Sequence, residues 1–167
     1  MTLQVTAHSY HLRYAVDEDR ILVSVDISPE HELAMPMTRR LTRNLLAAMA
    51  KMASDRGPAS VPAGAPPLVR DTILDFEHSQ SVATAVAEGH MRNEPPREKP
   101  PSMPMPMRLV REVKLVPRNN GGIALVFENG EQQLILEIAP ERIHMVIETF
   151  VQMAERAGWD FPPIASW

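Results

Sequence analysis

The fold of this chain follows from one stretch, Ile123 to Gly158, which reads IALVFENGEQQLILEIAPERIHMVIETFVQMAERAG. Apolar residues alternate with other residues on both sides of Asn129-Gly130, a dipeptide typical of two-residue hairpin turns. After Pro140 the apolar spacing becomes that of a helix, and Gly158 is a typical helix stop. The stretch therefore predicts two antiparallel strands followed by an amphipathic helix.

Two further segments extend this pattern. A third strand is predicted at 109–115, and a turn rich in asparagine and glycine at 119–122 joins it to the next strand, since both residue types accept the positive φ that such turns require. The earlier stretch from Ile21 to Gly57 follows the same plan. It is preceded by an extended segment whose side-chain parity changes near His8-Ser9, which predicts two short strands with a break or bulge between them.

The two halves match at a nearly constant spacing that shifts by one residue, which indicates a duplicated β-β-β-α unit and an α+β fold class. A unit of this size buries little surface alone, so we expect the two units to share one core. Two unrelated α+β segments with generic patterning are the alternative. With one extra residue in the later turn, the matches are Leu12 with Val113, Tyr14 with Leu115, Ile21 with Ile123, Val23 with Leu125, Leu33 with Leu134, Met35 with Leu136, Leu45 with Val146, and Met49 with Phe150.

The segment between the units has a different composition. It contains a Pro/Ala/Gly connector and then an inserted helix, predicted from Leu68 to about Glu88, whose apolar positions include Val69, Phe76 and Val86. A Pro-rich run follows, which favours an extended or disordered linker. The predicted division is a first unit at 1–57, connector and inserted helix at 58–91, a Pro/Met-rich linker at 92–107, and a second unit with an aromatic tail at 108–167.

Composition excludes several classes of protein. The net charge of −4 disfavours a dedicated nucleic-acid binder, and the lack of cysteine excludes disulfides, thiolate nucleophiles and cysteine-based metal sites. No apolar run reaches the roughly 18–20 residues that span a bilayer, and the N-terminus does not read as a secretory signal. We therefore expect a cytoplasmic protein without a membrane partner.

No catalytic motif occurs in the sequence. There is no G-x-S-x-G, no P-loop, no G-x-G-x-x-G before a helix and no H-E-x-x-H. The histidines lack ligand spacing: His8 and His11 lie on opposite faces of an extended segment, and Val82 stands where a second ligand after His78 would be. We expect no metal, no cofactor and no enzymatic activity, although an enzyme remains open.

The start of the first long helix is the clearest departure from the repeat. The second helix begins with Pro140-Glu141, whereas the first begins with Arg39, Arg40 and Arg43, three cations at the positive end of the helix dipole. Clustered arginines at a helix start predict an anion site or an acidic partner surface. The alternative is that they pair with nearby acidic residues of this chain.

Methionine and tryptophan supply the remaining candidates for partner binding. Met103, Met105 and Met107 alternate with proline in the linker and cannot all be core residues, so they predict an adaptable contact surface. Trp159 and Trp167 are close to the end of the chain and pack either on the domain or on a partner.

Two functions follow from these observations. The first is a non-enzymatic interaction or assembly protein that docks on a protein partner or on itself, as a homodimer. The second is a single-stranded nucleic-acid binder with Tyr10 and Tyr14 as stacking groups. The charge for phosphate contact would come from Arg39, Arg40, Arg43, Arg108 and Arg111. In general plan, though in no motif, strand-rich repeats with a helix resemble Whirly-type domains, and that resemblance implies single-strand binding.

Overall fold

The computed structural model describes residues 2–56, 64, 66–88 and 108–162. In this part of the chain the fold is α+β, with two β-sheets and three α-helices. The elements in chain order are β1 (Leu3–Ala7), β2 (His11–Ala15), β3 (Arg20–Ser28), β4 (His31–Met37), α1 (Arg39–Arg56), α2 (Pro67–Ala87), β5 (Glu112–Pro117), β6 (Ile123–Glu128), β7 (Gln132–Ile138), a 3-10 turn (Pro140–Arg142) and α3 (Ile143–Arg156).

The first strand joins the sheet of the second half. One sheet has the order β1-β7-β6-β5, with β1 parallel to β7 and the other pairs antiparallel, and the second sheet has the order β2-β3-β4. The break predicted near His8-Ser9 is confirmed, because β1 ends at Ala7 and β2 begins at His11. A short connection thus carries the chain from one sheet to the other.

The first half forms an antiparallel meander followed by a helix. Pro36 lies on β4, an edge strand, as its missing N–H donor predicts. Its carbonyl oxygen accepts a hydrogen bond from the Val110 amide (2.9 Å), which ties the chain before β5 to this sheet. The Thr38 hydroxyl oxygen accepts a hydrogen bond from the Leu41 amide (3.1 Å), so Thr38 is the N-cap of α1.

A hairpin joins β6 and β7 as predicted, but its connection is not the predicted two-residue Asn129-Gly130 loop, because Glu128 pairs with Gln133 and not with Glu131. The Asn129 side-chain oxygen accepts hydrogen bonds from the amides of Glu131 (3.0 Å) and Gln132 (2.8 Å), and Gly130 has a φ of 95°. Pro140 opens a 3-10 turn that leads into α3, and Gly158 ends the helix with a φ of 68°. Local sequence therefore determines both ends of this segment.

Each half contains a three-stranded meander. The second and third strands of the two meanders pair in the same register, whereas the first and second strands do not. Ile21 pairs with Met37 in the first sheet, and Ile123 pairs with Ile138 in the second, as the sequence matches require. The match of Leu12 with Val113 is wrong, because Leu12 lies opposite Val23, whereas the partner of Leu125 is Leu115. The Tyr14 match shifts in the same way. Turn geometry sets hairpin register, and the two hairpin connections differ.

One large hydrophobic cluster joins the two halves. Helix α1 packs on α3 and on β5, whereas α3 also packs on β2, so each of these helices contacts a strand of the other half. Core residues come from both sheets and from α1, α2 and α3. The largest fully buried side chains are Phe127, Phe150, Ile21, Leu33, Met35, Met37, Leu46, Met49, Ile123, Leu125, Leu134 and Leu136. Among the described residues, no helix is long and apolar enough to cross a bilayer.

Candidate interaction surface

Helix α2 lies on the outside of the molecule, against α3 and the 3-10 turn. It begins at Pro67 and ends at Ala87, within one residue of the predicted bounds, Leu68 and about Glu88. Its inner side contributes Ala85, which is buried, while Ile73 and Val82 are half-buried.

Four large apolar residues of α2 are exposed to solvent. Leu68 is 77% exposed, Phe76 is 64% exposed, Val86 is 55% exposed and Val69 is 44% exposed. With 3.6 residues per turn, Phe76 and the buried Ala85 lie on opposite sides of the helix. We call the exposed positions 69, 72, 76, 79, 83 and 86 the α2 strip; their alternating spacing of three and four places them in one row.

Polar groups attach α2 to α3. The Nδ1 atoms of His78 and His144 are 3.2 Å apart, and His78 Nε2 donates to the Glu148 carboxylate at 3.1 Å. The Gln152 side-chain amide donates to the other oxygen of Glu148 at 3.0 Å. At the other end of α2, the Arg70 guanidinium donates to the backbone carbonyl of Ser54 on α1.

This chain of side chains shifts the pKa values of two of its members. Burial lowers the pKa of His144, the positive charge of His78 lowers it further, and Glu77 acts in the opposite direction. The hydrogen bond from His78 lowers the pKa of Glu148, and its burial opposes that effect. His78 lies between the other two groups, and no three acidic or histidine side chains in the described ranges converge as metal ligands.

The three arginines lie at the exposed start of α1. Arg39 contributes to a lowered pKa of Asp19, so the predicted pairing with an acidic residue applies in part to this arginine. Within the part of the chain that the structure describes, neither Arg40 nor Arg43 has an ion pair or side-chain hydrogen bond. Glu32, one acidic candidate for pairing with them, bonds to Arg13 instead (3.2 Å).

Trp159 is buried, with 4% of its surface exposed. Its indole N–H donates to Asp19 Oδ1 at 2.7 Å, and the Tyr14 hydroxyl donates to the same oxygen at 2.7 Å. These two bonds, that from Trp159 first, lower the pKa of Asp19. Trp159 thus fastens the chain after α3 onto the β2–β3 connection and leaves little ring surface for a partner. Trp167, Met103, Met105 and Met107 lie outside the described residues.

Both tyrosines make contacts within the molecule. Tyr10 stacks on Phe150 with ring centroids 6.1 Å apart and shares a hydrogen bond with the Thr149 hydroxyl, and burial raises its pKa to about 12. Tyr14 contacts Trp159 edge to face. These contacts occupy the rings that the sequence offered as stacking groups for bases.

Two features did not follow from the sequence. Val69, Phe76 and Val86 were predicted as apolar positions of the helix, but their spacing did not show that they face solvent. No local signal could have revealed the contact between His78 and His144, which lie on different helices. A shallow groove of about 450 Å³ also lies between α1 and β5, lined by both polar and apolar side chains.

Comparisons with family models, curated proteins and solved structures gave no match for this chain.

Proposed function

We propose that this protein is a non-enzymatic interaction protein, and that the α2 strip is its main contact surface. The supporting observation is the exposure of Leu68, Val69, Phe76 and Val86 along one side of a single helix. A helix that is apolar on both sides is normally buried on both sides. Contiguous exposed apolar surface on a soluble domain commonly marks a binding site.

The attachment of α2 supports the same proposal. Arg70 and His78 attach α2 to α1 and α3 through polar contacts, and these contacts do not involve the exposed residues Leu68, Val69, Phe76 and Val86. An inserted helix that keeps its apolar residues outward contributes little to the core through them. Binding to a partner would bury these residues and remove their contact with water.

We further propose that the two meander-and-helix halves are copies of one duplicated unit. Two observations support this view. The pairs β3–β4 and β6–β7 have the same register, and α1 packs on β5 while α3 packs on β2. In that arrangement α2 is an insertion between the two units, and segments that connect the elements of a scaffold often contain the residues that bind partners. We place the protein in the cytoplasm, where a chain without cysteine needs no oxidative folding.

A capture experiment tests the interaction proposal. The full chain is immobilised and exposed to native lysate, and the retained proteins are identified by mass spectrometry. We expect a retained protein that is lost with Phe76→Glu and kept with Val16→Glu, which places the same charge at a residue 75% exposed on the β2–β3 connection. A chain from which residues 92–107 are deleted tests the contribution of the Met/Pro segment. Equal capture by both glutamate variants would contradict the role of the α2 strip.

A second candidate function is single-stranded nucleic-acid binding at the start of α1. The supporting observation is that Arg40 and Arg43 are exposed and have no ion-pair partner in the described ranges. The internal contacts of Tyr10 and Tyr14 remove the expected stacking groups, and the net charge of −4 opposes this function. Phosphate contact alone would give weak binding that falls steeply with salt.

The test of this alternative is binding of a labelled single-stranded oligonucleotide at low and moderate salt. If the function is correct, Arg40→Gln/Arg43→Gln abolishes binding. The control is Lys51→Gln/Arg156→Gln, which removes the same charge from exposed positions on α1 and α3. No binding at low salt, or equal loss in both double variants, rejects the site.

A further inference from the structure

We propose that His78 and His144 form a two-histidine site for a divalent transition-metal ion between α2 and α3. The Nδ1 atoms of the two rings are 3.2 Å apart. Two nitrogens bound to one tetrahedral Zn²⁺, each at about 2.0–2.1 Å from the ion, lie about 3.3–3.4 Å from each other. The two Nδ1 atoms are therefore already close to the separation that a shared ion requires.

Glu148 holds His78 in the tautomer that metal binding needs. A carboxylate only accepts hydrogen bonds, so its 3.1 Å contact places the proton of His78 on Nε2 and leaves the lone pair of the neutral ring on Nδ1. Gln152 donates to the other oxygen of Glu148 and keeps the carboxylate in place. Histidines that bind metal ions commonly donate their second N–H to a carboxylate in this way, so Glu148 is a positioning residue and not a ligand.

His144 supplies the second ligand atom by a change of tautomer. Without an ion, Nδ1–H of His144 donates to Nδ1 of His78, which has no proton. With an ion between the rings, the proton of His144 is on Nε2 and both Nδ1 lone pairs are directed at the ion. Both rings stay neutral in this exchange, so the binding of the ion does not require a proton to leave the pair.

The surroundings of the pair suit a partly hydrated ion. The side chains of His78 and Glu148 are each 22% exposed, so water reaches the site and completes the coordination. The carboxylate of Glu148 offsets part of the charge of the ion, and Glu77 is close enough to His144 to act on it electrostatically. Imidazole ligands favour Zn²⁺, Cu²⁺ or Ni²⁺, whereas Mg²⁺ and Ca²⁺ prefer oxygen ligands.

The two ligands belong to different helices, and this determines what the ion does. Val82 occupies the position one turn after His78, so α2 has no second ligand of its own and the ion joins α2 to α3. With two protein ligands we expect reversible binding, weaker than at structural zinc sites, which have four. The site is independent of the α2 strip, because His78 lies on the side of α2 that contacts α3.

Isothermal titration calorimetry of the full chain, without an affinity tag, tests the site with ZnSO₄ at neutral pH. We expect one ion per chain, no binding of MgCl₂, and loss of Zn²⁺ binding in His78→Gln/His144→Gln. The control His11→Gln/His31→Gln removes two imidazoles from the sheet β2-β3-β4 and should bind as the natural chain does. No binding to the natural chain overturns the inference. Equal binding by both double variants also overturns it and indicates an adventitious ion only.

The role of Glu148 is tested by two substitutions. Glu148→Ala removes the acceptor of the His78 N–H and should weaken Zn²⁺ binding by about 10–100-fold. Glu148→Gln keeps an oxygen that accepts this N–H and should bind close to the natural affinity. Circular dichroism of each variant checks that the fold is kept. Natural affinity in Glu148→Ala contradicts the positioning role.

Electron paramagnetic resonance with Cu²⁺ identifies the ligands directly. We expect splitting from two imidazole nitrogens in the natural chain and none in His78→Gln/His144→Gln. The thermal midpoint should also rise with excess ZnSO₄ in the natural chain and stay constant in this double variant, because the ion binds only the folded pair. A Cu²⁺-bound spectrum without splitting from two nitrogens overturns the assignment of the ligands.

Discussion

Asp19 holds the segment after α3 against the β2–β3 connection. It has a φ of 50° and accepts hydrogen bonds from Trp159 and Tyr14. Asn tolerates this backbone conformation and keeps a carbonyl oxygen as acceptor, whereas Ala does neither. We expect Asp19→Asn to stay near the thermal midpoint of the natural chain and Asp19→Ala to fall by several degrees.

The thermal midpoint of each Asp19 variant is measured by tryptophan fluorescence in a Trp167→Phe background, where only Trp159 emits. The pKa of Asp19 is lowered in the folded state, so its contribution is present above the ordinary value of 3.8 and is lost as pH falls through the lowered value. Asp19→Asn should remove this dependence. Equal midpoints for the Asn and Ala variants would show that the two hydrogen bonds contribute nothing.

Gly122 gives a second prediction at the residue scale. The turn at 119–122 was predicted from the tolerance of its glycines for positive φ, and Gly121 fits, with a φ of 83°. Gly122 is required for a different reason, because a Cβ there would lie 2.5 Å from the Ile138 carbonyl oxygen. We expect Gly122→Ala to lower the free energy of unfolding by about 1–3 kcal/mol.

Urea unfolding measures this effect, and Gly121→Asn is the matched control. Asparagine accepts a left-handed conformation, and the nearest atom to a Cβ at Gly121 is 3.5 Å away, on the Pro140 side chain. The control should therefore lose less stability than Gly122→Ala. The opposite order would contradict the role of the close approach to Ile138.

At the scale of the element, the contact between α2 and α3 depends on pH through His144, which lies on α3. Its pKa is lowered in the folded state, so the unfolded chain binds more protons between the lowered value and the ordinary 6.5. Stability is therefore complete above pH 6.5 and decreases as pH falls through the folded value. Because the ring is partly exposed, we expect a loss of only a few tenths of a kcal/mol between pH 7.5 and 5.5.

Two variants isolate this effect. His144→Asn removes the titrating ring and should flatten the dependence of unfolding free energy on pH between 7.5 and 5.5. Glu148 has a lowered pKa as well, so its contribution is lost only in more acidic solution, and Glu148→Gln should leave the dependence in this range largely unchanged. A steeper slope in His144→Asn would contradict the direction given by burial.

Element bounds followed from the sequence wherever the signal was local. The presence of a hairpin after Glu128 and the limits of α2 depend on residues close in sequence, and both were predicted. The parallel partner of β1 and the side of α2 that faces solvent were not, because they depend on packing between distant segments. The sequence match between β2 and β5 was off by two residues, because the hairpin connections that follow these strands differ.

At the scale of the whole molecule, the packing of the two halves decides which candidate binding residues are buried and which stay exposed. Trp159, a predicted partner contact, is used to connect the end of α3 to the first sheet, whereas Arg40 and Arg43 remain exposed. The sequence could identify these residues as unusual, because aromatics and clustered cations are few. It could not show which of them would be buried in the shared core, since that depends on how the halves pack.

The shared core predicts that neither half folds alone. β1 pairs with β7, α1 packs on β5 and α3 packs on β2, so separation of the halves exposes apolar surface of both sheets at once. Cleavage at a protease site inserted within residues 92–107 should leave a complex with the circular dichroism of the intact chain. Each fragment purified in denaturant should remain unfolded after dilution, and mixing the two should restore the signal in a concentration-dependent way. A single fragment with its own cooperative unfolding transition would show that the halves are independent domains, and it would remove the main physical reason for proposing that a duplicated unit requires its partner.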